Sequence, residues 1–240
     1  PEACSVFLMQ VHSYPDTELI LNEFINASKK LSKYSESDSK KIVKKYLTGA
    51  FSKFKESNPP EYLVNDYVYI GGTFDVGRMV SSSFAHADWN HLIGNILGYT
   101  AFGLLVELII GPFLFIALFL VISITVGIAS SLWYGGSDIP GLFLGLSGVV
   151  FGMMGTMLYL WPEARIKAIL WFIIIVKNVS VPAWIIAIFY IGWNVHYVLQ
   201  QVDSNTNFIA HIVGALTGFI FSLLFLKKKK EDLMYMLKYG

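Results

Sequence analysis

The sequence predicts an all-α polytopic membrane protein, with five spans visible and a small helical region outside the membrane. Three observations carry this. Hydrophobic residues make up 55% of the 240 and charged residues only 15%, whereas a soluble domain carries roughly 25% charged residues. The charges are also partitioned. Residues 1–85 hold 20 of the 35, and residues 86–226 hold eight (Asp88, Glu107, Asp138, Glu163, Arg165, Lys167, Lys177, Asp203). Within that charge-poor stretch, five apolar runs approach the ~20 residues needed to cross about 30 Å of hydrocarbon as a helix. The same composition excludes intrinsic disorder. A single cysteine, Cys4, excludes an internal disulfide framework and a multi-cysteine metal site.

The elements follow in chain order. Residues 1–12 open on Pro1 and contain the apolar run Ala3–Val11. That run is too short to cross, and is read as a remnant of an upstream span or a signal segment. Six spans are therefore expected in a longer parent chain. Residues 13–66 form a polar helical region. Ile42, Val43, Tyr46, Leu47, Ala50, Phe51 and Phe54 share one helical face, and Asn58-Pro59-Pro60 stops the helix. Residues 67–226 form the membrane domain, with spans at 90–107, 112–133, 142–161, 182–199 and 206–226. Pro112, Gly135-Gly136, Pro140-Gly141, Pro162 and Pro182 punctuate them. Ala164–Val181 carries Arg165, Lys167 and Lys177 and reads as an interfacial segment instead of a sixth span. Residues 227–240 are a basic tail, in which Lys227–Lys230 reads as a cytoplasmic stop signal and not as a nucleic-acid patch.

Lysine and arginine in the short loops set the orientation. The segments after the third and fifth spans carry them, so these segments and the C-terminus are expected in the cytoplasm. Spans one, three and five then enter from the extracytoplasmic side, and residues 13–66 lie on that side. Their nine lysines do not conflict, because the rule applies to short loops.

Polar residues inside spans are costly and are functional candidates. Span one opens with His91 and Asn95, one helical turn apart on one face, and His86 lies just before it. Ser147 sits about six residues into span three and His211 about five into span five. At 1.5 Å per residue both lie roughly 8–9 Å below the outer boundary, in the layer of His91 and Asn95. Gly148, Gly152 and Gly155 on one span and Gly214 and Gly218 on another allow close backbone approach, which would bring Ser147 within reach of His211. A serine beside a histidine base is the minimum nucleophile arrangement. Asn and His donors and the Ser147 backbone N–H suit an oxyanion. His86, His91 and Asn95 lack an HExxH pattern and have only Asp88 nearby, so no metal is expected, and no cofactor. Asn194 and His196 on span four read as structural hydrogen-bonding residues, and Glu107 and Arg78 as anchors.

Together these residues resemble the rhomboid intramembrane serine proteases over about residues 74–226. Phe84-Ala-His86-Ala-Asp-Trp-Asn-His91-Leu-Ile-Gly-Asn95 resembles that family's histidine/asparagine motif, and Phe102-Gly103 and Glu107 match the end of the same helix. Gly145-Leu-Ser147-Gly148 resembles its GxSG motif. Ala210-His211 with Gly214 and Gly218 resembles AHxxGxxxG. The resemblance implies a rhomboid-like helical bundle and a serine endopeptidase acting in or near transmembrane helices of membrane-protein substrates in the bilayer. Ser147 would be the nucleophile and His211 the general base. His91, Asn95 and the Ser147 backbone would form the oxyanion site, and His86, Gly145, Gly148, Phe151 and Arg78 would support it. The site would open to the extracytoplasmic side. Two positions depart from the family: Gly77 stands where a tryptophan is usual, and Phe151 replaces a tyrosine that packs on the catalytic histidine. A catalytically silent rhomboid-like protein that binds membrane clients is the competing reading.

Overall fold

The computed structural model describes residues 17–28, 30–57, 67–134, 141–172, 175–200 and 206–239. Ala3–Val11, Cys4, Asn58-Pro59-Pro60, Gly135-Gly136, Pro140 and most of the loop before the fifth span lie outside the described residues. The chain divides into two compact units, Pro1–Asp66 with Ser137–Ile139, and Tyr67–Gly136 with Pro140–Gly240.

The first unit is a helical hairpin of α1 (Thr17–Ala27) and α2 (Glu36–Glu56). Ser35 caps α2, its hydroxyl oxygen accepting from Asp38 N–H at 3.1 Å. Leu21 and Ile25 are buried. Ser39, also buried, accepts from Leu31 N–H at 3.0 Å and donates to Ser35 O at 2.7 Å. Of the apolar face read from α2, Tyr46 is exposed and the other six residues are half-buried.

The second unit is a helical bundle. A short strand β1 (Tyr69–Ile70) leads to α3 (Val76–Ser81) and a 3₁₀ turn, Ser82–Phe84. Span one is built of α4 (Trp89–Gly98), a π-helical turn (Tyr99–Gly103) and α5 (Leu104–Ile110). Gly111, at φ +84°, ends it, and Pro112 starts α6 (Pro112–Tyr134), as a residue without an N–H should. β2 (Leu142–Phe143) pairs antiparallel with β1, Tyr69 opposite Phe143. α7 (Ser147–Leu160), α8 (Ala183–Leu199), α9 (Phe208–Phe225) and α10 (Lys227–Tyr239) complete the unit. The helices Trp89–Ile110, Pro112–Tyr134 and Phe208–Phe225 are long and apolar enough to cross a membrane, while α7 and α8 are shorter apolar helices.

α7 is the central element. Nearly its whole surface is buried, Met153, Met157 and Leu160 completely, against Val106, Leu118, Ile122 and Phe221 from the helices around it. Its contact with α9 depends on glycines. A methyl group built on Gly214 would overlap the Gly148 carbonyl oxygen, and one on Gly218 that of Gly152. α6 is uniformly apolar by pattern, yet it is tied down through hydroxyls. Ser131 Oγ bonds the Tyr69 hydroxyl and accepts from Gly72 N–H at 3.1 Å. Ser130 Oγ accepts from Asn207 Nδ2 at 2.8 Å.

One sequence expectation changes, and two segments gain a conformation. Span three is not helical from residue 142. Its first residues pair as β2, Gly145 takes φ +110°, and the helix begins only at Ser147. Ala164–Val181 falls in an antiparallel ribbon of β3 (Arg165–Phe172) and β4 (Ile175–Pro182), which suits its wealth of isoleucine and valine. Within the basic tail, residues 227–239 are helical, with Leu233 buried and Lys230 Nζ 4.3 Å from the Tyr159 ring centroid.

Candidate active site

The site stands at the N-terminal ends of three helices. Asp88 caps α4 by accepting from His91 N–H at 2.9 Å, which places His91 in its first turn. Asn207 caps α9 by accepting from Ala210 N–H at 3.0 Å, one residue before His211. Ser147 is the first residue of α7. Its N–H and that of Gly148 have no acceptor within the helix, and the positive end of the α7 dipole lies there.

Ser147 Oγ lies 2.7 Å from His211 Nε2. The ring of His211 is buried and stacked on Phe151 at 4.3 Å between centroids with 2° between planes. Tyr190 meets Phe151 edge-on. The other ring nitrogen, Nδ1, lies 2.6 Å from Asn194 Oδ1. Asn194 is buried, and its Nδ2 donates to Tyr190 O at 2.8 Å one helical turn back. The sequence reading treated Asn194 as structural and did not join it to His211.

Asn95 is buried on α4, and its Nδ2 has no hydrogen-bond partner among the described residues. It faces Gly145. A Cβ at Gly145 would come within 3.6 Å of Asn95 Nδ2 and 2.6 Å of His91 Nε2, so the glycine admits both side chains as well as providing its left-handed φ. Gly145 N–H donates to Ser82 O at 2.8 Å, which ties this wall to the 3₁₀ turn. His86 packs edge-on against His91 at 5.1 Å. Burial and then the neighbouring His91 lower its pKa from 6.5, and its Nε2 is likewise without a partner among the described residues. A Cβ at Gly148 would meet Val126 at 3.2 Å and Ala210 O at 3.5 Å. A methyl group there would sit tightly against the Val126 side chain and in ordinary contact with α9.

Arg78 is held elsewhere. It donates from Nη1 to Val68 O at 3.4 Å and pairs with Asp75 at 3.7 Å, pinning α3 to the residue before β1. His196 lies near the end of α8 with its ring beside Trp193 and Tyr197. Among the described residues no three His, Cys, Asp or Glu side chains are grouped to hold a metal ion.

The arrangement joins a hydroxyl to a histidine ring nitrogen, with helix-end N–H groups and an amide nitrogen unpaired among the described residues in the same region. That is a set of groups able to carry acyl transfer. A family model described as "Rhomboid domain" matches residues 73–228. "Rhomboid protein 1, mitochondrial" of Saccharomyces cerevisiae (strain ATCC 204508 / S288c) is 30% identical over 146 residues, which is 60% of this chain and 40% of the yeast protein. The chain therefore matches about two fifths of that relative's length. The match takes in the helices that carry His91, Ser147, Asn194 and His211, and with them the chain is placed as a multi-pass membrane protein of the rhomboid family, whose members are generally intramembrane serine proteases.

Proposed function

We propose that the chain is an intramembrane serine endopeptidase that hydrolyses peptide bonds in or near the transmembrane helices of membrane-protein substrates. The observation that carries this reading is the 2.7 Å contact between Ser147 Oγ and His211 Nε2, made between two different helices. In the first step Ser147 Oγ attacks the scissile carbonyl carbon and its proton passes to His211 Nε2. The Ser147 N–H, Asn95 Nδ2 and His91 stabilise the oxyanion. As the C–N bond breaks, His211 returns the proton to the leaving amine and an acyl ester remains on Ser147. A water molecule, deprotonated by His211 Nε2, then attacks the ester carbonyl carbon, and as the bond to Ser147 Oγ breaks His211 returns that proton to Oγ, releasing the carboxylic acid. Phe151 holds the His211 ring plane, Gly145 and Gly148 leave room for the surrounding groups, and His86 fills the wall behind His91. Arg78 anchors the preceding segment. No metal or cofactor enters these steps, and the site opens to the extracytoplasmic side.

Ser147→Ala and His211→Ala should each abolish cleavage of a transmembrane substrate by the purified protein while leaving its thermal unfolding near that of wild type. Undiminished cleavage by either variant rejects the reading in favour of a client-binding protein. Membrane proteins cleaved by wild type and not by Ser147→Ala, identified by mass spectrometry, would name the substrates.

A further inference from the structure

The hydrogen bonds around His211 have only one consistent direction. The Tyr190 carbonyl can only accept, so the Asn194 atom 2.8 Å from it is the amide nitrogen, donating. The other amide atom, 2.6 Å from His211 Nδ1, is then a carbonyl oxygen and can only accept. Nδ1 must therefore carry the imidazole proton, and Nε2 presents its lone pair to Ser147 at 2.7 Å. A backbone carbonyl on α8 thus determines, through one amide, which nitrogen of His211 faces the nucleophile as a base. Free imidazole populates both tautomers, and in the other one Nε2 carries a proton and accepts none.

Resting on the proteolytic reading above, we infer that Asn194 is the positioning residue of this site, holding His211 in the Nδ1–H tautomer and orienting its ring toward Ser147. It acts through His211 and touches no reacting atom. The amide is neutral and is not a base, so Nδ1 keeps its proton throughout. When Nε2 takes the Ser147 proton, the positive ring faces the negative end of the Asn194 carbonyl dipole. The residue sits on α8, while Ser147 and His211 lie on α7 and α9. The catalytic geometry consequently depends on how α8 docks.

The decisive measurement needs no variant at Asn194. In ¹⁵N-histidine-labelled wild-type protein, with His211 assigned by comparison with His211→Ala, Nδ1 should be the protonated and Nε2 the unprotonated nitrogen. A predominantly Nε2–H imidazole overturns the inference. In Asn194→Ala the tautomers should mix, kcat should fall about 10–100-fold and KM should hardly change. Asn194→Asp, which keeps an acceptor at the same reach, should recover most of kcat. Equal losses in the alanine and aspartate variants, or a loss confined to KM, would mean packing alone and overturn it as well. Wild-type protein that neither cleaves substrate nor reacts at Ser147 with a fluorophosphonate rejects the proteolytic reading itself. Failure of the inference alone leaves that wild-type activity intact.

Discussion

Asn95 buries an amide nitrogen that nothing among the described residues satisfies, and an unpaired buried donor costs about 1–3 kcal/mol. On the proposed mechanism such a group is worth keeping where negative charge develops. Asn95→Ala should therefore slow cleavage by about 10²–10³ and leave the unfolding temperature unchanged or raised. A loss of stability without a loss in rate would contradict the assignment. His91, Asn95, Ser147 and His211 were legible because hydrocarbon penalises polar side chains, so their presence in apolar runs needs a reason. Of their contacts, only that between Ser147 and His211 was legible, through the glycine spacing. Asn194 carries the same signal as the others, but only the packing of α8 reveals that it faces His211 Nδ1.

The seam between α7 and α9 has no side chains to spare. Gly214 and Gly218 place carbonyl oxygens of α7 where a Cβ would stand, so any methyl group there drives the backbones apart and carries His211 away from Ser147. Gly218→Ala should lower the thermal unfolding midpoint, in line with an overpacking cost of about 1–3 kcal/mol, and reduce fluorophosphonate labelling of Ser147 at least ~10-fold. Gly192→Ala on α8, where a Cβ meets nothing within 4 Å, should change neither; equal effects of the two would refute the close-contact account. The existence of this seam was readable from the glycine spacing, and so were the apolar helices. The start of α7 was not, because residues 142–146 are as apolar as the helix they precede. Only the β1–β2 pairing and the left-handed Gly145 separate the two. The α6 hydroxyls were equally silent. A serine in an apolar helix normally bonds its own backbone, and nothing local marks Ser130 or Ser131 as the exceptions.

Over the whole molecule, the charge distribution predicts a direction as well as a location. His91, Ser147 and His211 belong to the first turns of α4, α7 and α9, and α9 runs from His211 to the lysines that open α10. On the proposed orientation, with Lys227–Lys230 in the cytoplasm as the positive-inside rule expects, those first turns face the opposite side. In a Cys4→Ser chain, Tyr239→Cys should react with a membrane-impermeant maleimide only from the cytoplasmic face. An impermeant fluorophosphonate should reach Ser147 only from the other face. Reaction of both from one face would invert the reading. The ribbon of β3 and β4 escaped this level of reading, since its few basic residues among β-branched ones suit an interfacial segment of any backbone conformation.

Span one holds one further property in its π-helical turn, Tyr99–Gly103. Asn95, Phe102, Val106 and Ile110 are all buried, yet over the 15 residues from Asn95 to Ile110 a regular α-helix would overshoot whole revolutions by about 60°. The wider turn takes one extra residue and so removes about 100° of rotation, leaving the two ends about 40° short of whole revolutions instead. The span is thus geared as well as long enough. Loss of a single residue there would close the turn to regular α geometry with both ends still in the same relative phase, whereas loss of one elsewhere in the span would swing His91 and Asn95 about 100° off the site. For this helix, where a deletion falls matters more than how much hydropathy it removes.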